Sequence, residues 1–112
     1  MTRTSLTALV RDQLDLARSA NSGRSATTVH GGHERSLRQT VMALRQGEHM
    51  HEQEHPGEVT VQVLHGRVRL VAGPDSWVGG PGDLLTMPDR RHRVEALEDS
   101  AFLFTTARQL TA

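Results

Sequence analysis

The chain contains no cysteine, and that absence removes disulfide staples, thiolate zinc sites and thiol nucleophiles together. Metal or catalytic chemistry must therefore rest on imidazole, carboxylate and amide groups. Aromatic residues make up only 3% of the 112 positions and hydrophobic residues 36%, so a core has to be assembled mainly from Val, Leu, Ala and Met. The stacking platforms that hold single-stranded nucleic acid are missing as well. Neither sign of charge is in excess, because 13 Lys+Arg balance 13 Asp+Glu, and the basic excess that phosphate binding would exploit is missing. No nucleic-acid partner is expected. No apolar run is long enough for a signal peptide or a membrane span, so the expectation is a cytoplasmic protein with no membrane partner. The length allows one domain with one core.

Residues Thr4 to Arg18 place Leu6, Leu9, Val10, Gln13, Leu14 and Ala17 at spacings of three and four, which predicts one amphipathic helix. Thr4 or Ser5 caps it, since a hydroxyl there accepts from the free amides of the first turn. The small, polar stretch Ser19 to Ser25 has no period and reads as a linker, so residues 1–25 form a helix and linker ahead of a domain at 26–112. From Ala26 the pattern changes to short β runs: Ala26–Val29, Leu37–Leu44, Val59–Leu64, Val68–Ala72, Leu84–Met87, His92–Ala96 and Ala101–Thr106. Glycine, proline and aspartate separate them, as in an antiparallel sandwich or barrel. Val59, Val61 and Val63 fall on one face of their strand, and Thr60, Gln62 and Leu64 on the other.

Chemistry concentrates in the segment Gly47 to Val59, which holds His49, His51 and His55. In an extended chain His49, His51, Gln53 and His55 share a face, while Glu48, Glu52 and Glu54 share the other. Neutral imidazoles converging from neighbouring strands suit a divalent transition ion such as zinc, nickel, manganese or iron, and the amide oxygen of Gln53 can complete the shell. The competing reading is a solvated, charged loop.

The order of these motifs resembles the cupin family. That family's first motif runs glycine, five residues, His-x-His, three or four residues, glutamate, six residues, glycine. Here the corresponding positions are Gly47, Gln53-Glu54-His55, Val59 and Gly66. The second motif runs glycine, five residues, Pro-x-Gly, two residues, histidine, three residues, asparagine. Gly82 and Pro88 match it, Arg90 replaces the glycine, His92 arrives one residue early, and Ala96 takes the final position. The likeness spans roughly Leu37 to Thr106 and implies an all-β fold, a jelly-roll barrel (a double-stranded β-helix) of antiparallel strands, usually a homodimer, with the N-terminal helix packed outside.

The resemblance puts His55 and His92 at ligand positions, Gln53 where the first histidine would be, and apolar Val59 where the glutamate would be. His51, with Gln53's parity and about 6–7 Å of strand rise away, is a substitute for the missing imidazole, and His49 lies further out. A bulge at Pro56-Gly57 would turn Glu58 inward in place of Val59. The metal-ligand candidates are thus His49, His51, Gln53, His55 and His92. Relatives of this kind include dioxygenases and isomerases that act on small molecules at an ion with open positions. Two other readings stand beside this one: a metal-free domain that binds or senses a small ligand, and a structural module with a filled barrel.

Some residues carry plainer expectations. His65 beside Gly66 reads as a turn residue, and His30 and His33 as the tip of a solvated hairpin around Gly31-Gly32. Trp77 reads as a packing anchor or interface residue. Arg90 and Arg91 read as solvated, with an anion at the pocket mouth as the alternative.

Overall fold

A computed structural model describes residues 2–50, 57–87 and 90–107. Helix α1 spans Leu6–Ser19, and the cap is Ser5, whose hydroxyl accepts from the Ala8 amide at 3.2 Å. Among the described residues eight strands follow: β1 (Arg24–His30), β2 (Leu37–Leu44), β3 (Glu58–His65), β4 (Val68–Ala72), β5 (Asp75–Gly79), β6 (Leu84–Thr86), β7 (Arg93–Ala96) and β8 (Ser100–Ala107). They form two antiparallel sheets, one in the order β1-β2-β8-β3-β6 and one in the order β5-β4-β7. A bridge between His49 and Glu95 sets the stretch before residue 51 beside β7. This is the jelly-roll arrangement, in which two sheets face each other around one core.

Alternation decides what faces inward. Val59, Val61 and Val63 of β3 are buried with Val68 and Leu70 of β4, Val94 and Ala96 of β7, Leu44 of β2, and Phe102 and Phe104 of β8. Met50 and Met87 belong to the same core, and Met42 and Leu85 pack against it. The opposite face of β2 and β8 carries Ala43 and Ala101, which meet Leu14 and Ala17 of α1, with Val10 alongside. The helix lies outside the barrel, as its apolar stripe requires: a single helix of this length needs a surface to cover before it is stable. Arg18 fastens its end, donating from Nε to Asp99 Oδ2 at 2.9 Å, while the Gln46 amide donates to Asp99 Oδ1 at 2.8 Å.

One end of the barrel is drawn together by backbone. Gly66, between β3 and β4, has φ +81, and a Cβ there would lie 2.3 Å from the Asp99 carbonyl oxygen. Only glycine permits that approach. The fully buried Ser100 hydroxyl accepts from the Arg67 amide at 3.1 Å and lies 2.7 Å from the Glu98 carbonyl. His65 ends β3 here, exposed and paired with Ala101.

Candidate functional site

The other end of the barrel is where the starts of β2 and β3 and the end of β8 meet, since Leu37 and Glu58 both pair with Ala107. His92 enters from this side. It precedes β7 and continues the inward parity of Val94 and Ala96, and it is 2% exposed. Its Nδ1 lies 2.9 Å from the Arg90 carbonyl oxygen. A carbonyl only accepts, so Nδ1 carries the proton, and in the neutral ring Nε2 then holds the lone pair. Nε2 is itself shielded from solvent. Histidines that bind metals are typically oriented by this kind of hydrogen bond through the other ring nitrogen.

The remaining candidates divide sharply. His51, Gln53 and His55 lie outside the described residues. His49 is exposed, whereas its neighbour Met50 is 3% exposed and donates its amide to the Val94 carbonyl. The chain therefore enters this segment with methionine turned to the core and imidazole turned away from it, and the His49 carbonyl accepts from Arg24 Nη1 at 3.1 Å. Val59 points inward and Glu58 outward, so no bulge brings the carboxylate into the barrel. Among the described residues no group of three His, Cys, Asp or Glu side chains is placed to hold an ion. His92 fits the part of one nitrogen ligand, and Val59 supplies none.

Next to this end lies a cavity of about 440 Å³, with Met42, Met50 and Phe104 as its apolar lining. Thr40 and Thr106 contribute hydroxyls, and His33, Arg35 and Arg38 contribute its nitrogen-bearing side chains. Arg38, Thr40 and Met42 share the inward parity of β2, and Arg38 stands directly opposite Thr106 while Thr40 stands opposite Phe104. The barrel is accordingly not packed solid to its rim. The pair Gly31-Gly32 does more than tip a hairpin: Gly31 has φ +111, and a Cβ there would lie 2.7 Å from the Leu37 carbonyl oxygen and 2.9 Å from Arg38 Cα. That close approach seats the loop carrying His33 and Arg35 beside Arg38. A cation at the inward parity of a strand whose next inward residues are Thr40, Met42 and Leu44 is the sequence signal that marks this site. Arg90, by contrast, is held outside by an ion pair with Asp75.

No family model matches the chain, and no curated protein matches it by sequence. Solved structures do. A conserved protein of unknown function from Streptococcus pyogenes is 19% identical and superposes with a TM-score of 0.73, covering 82% of this chain and 80% of the other. A cupin superfamily protein from Desulfitobacterium hafniense is 16% identical with a TM-score of 0.70, over 77% and 78% of the two chains. An RmlC-like cupin from Desulfovibrio desulfuricans is 24% identical with a TM-score of 0.66, over 75% and 81%. With the two antiparallel sheets and their strand order, these likenesses give the chain the cupin jelly-roll fold.

Proposed function

We propose that the protein is a small metal-binding cupin that holds a divalent transition ion on His92 Nε2, with His55 and either His51 or Gln53 completing the shell, and that it acts on a small molecule. The observation that carries this reading is His92: a buried imidazole at the inward parity of β7, with Nδ1 2.9 Å from the Arg90 carbonyl oxygen, the second-nitrogen hydrogen bond typical of metal-binding histidines. A bound ion with open positions would polarise a substrate oxygen. Val59 at the family's glutamate position favours a second reading, in which the barrel binds its small ligand without metal.

Metal analysis separates the two. Untagged protein incubated with zinc, nickel, manganese or iron(II) and then dialysed should retain about one ion per chain, and acidification should release it, because protons compete for the imidazoles. His92→Ala should abolish retention while the barrel stays folded, and His65→Ala, at the opposite end, should leave it unchanged. Zero metal in the parent, or retention that survives loss of both His55 and His92, would decide for the metal-free reading.

A further inference from the structure

We propose that the cavity at the barrel mouth is a binding site for a small organic carboxylate with an apolar body, recognised by the guanidinium of Arg38. This goes beyond the metal reading and rests on different residues, since the cavity's lining is drawn from β2, β8, Met50 and the loop after β1 rather than from His92.

Three observations converge on that ligand class. The lining contains Arg35, Arg38 and His33 and, among the described residues, no Asp or Glu. Arg38 makes no ion pair among the described residues, whereas Arg35 has only a loose one, 3.9 Å from the exposed Glu34. Arg38 is exposed at the cavity rim, and with no ion pair among the described residues its guanidinium has donors to offer a planar carboxylate through two parallel hydrogen bonds. The rest of the lining specifies what that carboxylate is attached to. Met42, Met50 and Phe104 form an adaptable apolar surface, and methionine in particular reshapes to fit varied apolar groups. Thr40 lies between Arg38 and Met42 on the same face of β2 and Thr106 stands opposite Arg38, so both hydroxyls suit a hydroxyl or carbonyl near the acid group. The volume suits a small ligand.

The test uses metal-depleted protein, so that its outcome does not depend on an ion. Benzoate, phenylacetate and hexanoate are titrated calorimetrically at low salt, each against its neutral amide, with inorganic phosphate as a competitor. At least one carboxylate should bind about tenfold more tightly than its amide, the scale of a charge-assisted hydrogen bond. Arg38→Gln should erase that preference, and Arg69→Gln, an equal loss of charge on the outward face of β4, should leave it intact. Phosphate should displace the carboxylate poorly, because it has nothing to offer the apolar lining. Amides binding as well as acids, an unaltered preference in Arg38→Gln, efficient displacement by phosphate, or no binding by any of the three acids would each overturn the proposal. Carboxylate binding that appears only after zinc is restored would place the acid on the ion, overturning the role of Arg38 while supporting the metal reading. Failure to take up metal leaves the carboxylate comparison untouched.

Discussion

Toward the helix, β2 and β8 present Ala43 and Ala101, both fully buried against Leu14 and Ala17. Toward the barrel, the adjacent residues of the same strands are Met42, Leu44, Phe102 and Phe104. The small residues let the helix backbone come close and leave no volume to spare. The large ones reach across to the second sheet at one end and stop short of filling the space at the other. A single alternation thus builds a tight joint on one side of the sheet and an adaptable lining on the other. Close packing fixes the scaffold, and the site occupies the part of the interior that packing does not complete.

The contrast is best broken by substituting neighbours. Phe102→Ala, on the inner face, should destabilise the fold by about 4 kcal/mol, through lost transfer energy and the void left behind. Ala101→Leu, one residue away and facing the helix, should cost about 2–3 kcal/mol by overpacking. Denaturant titration measures both, and hydrogen exchange should show the second releasing residues 6–19 ahead of the barrel. A harmless Ala101→Leu would mean that the helix joint is loose.

The joint also has a polar tether. Hydrogen bonds from Arg18 and from the Gln46 amide hold the Asp99 carboxyl below its ordinary pKa. The tether's contribution is therefore present above the unfolded value of about 3.9, and is lost as pH falls through the lowered folded value. Asp99→Asn should cost about 1 kcal/mol near neutral pH, a modest figure because the groups are partly solvated. Its stability curve should merge with that of the parent in acid. A gap that does not narrow as pH falls would assign the loss to something other than the charge.

The smallest expected effect lies at the adaptable lining. Met42→Leu conserves volume and should change stability by less than about 1 kcal/mol, while narrowing the range of apolar groups the cavity accepts. Unfolding and a ligand series measure the two halves. A large stability loss there would show that Met42 is packed as rigidly as the alanine face.

Most of this scaffold could be read in the residues. β2 and β4 have the boundaries that their apolar alternation suggests, and the outward helix follows from its single stripe. β5 was hidden because its five residues lie between Gly73-Pro74 and Gly80-Pro81, and four of them are exposed. Turn signals on both sides masked an edge strand. Trp77, within it, is paired with Leu70 and 43% exposed.

The site was less legible. Parity tells which residues share a face but not which face is inside, and where this segment begins Met50 is buried while its neighbour His49 is exposed. Arg38 is hard to read in the sequence for a related reason. A charge at an inward position at the exposed end of a strand takes on meaning only with the loop after β1 folded beside it, an approach that Gly31 permits.

The stapled end of the barrel has a kinetic consequence. With Gly66 pressed against the Asp99 carbonyl and Ser100 joined to Arg67 and Glu98, this end is pinned by backbone, and a ligand of the proposed cavity would come and go at the mouth. A departing molecule and an arriving one would then exclude each other, and exchange would be sequential.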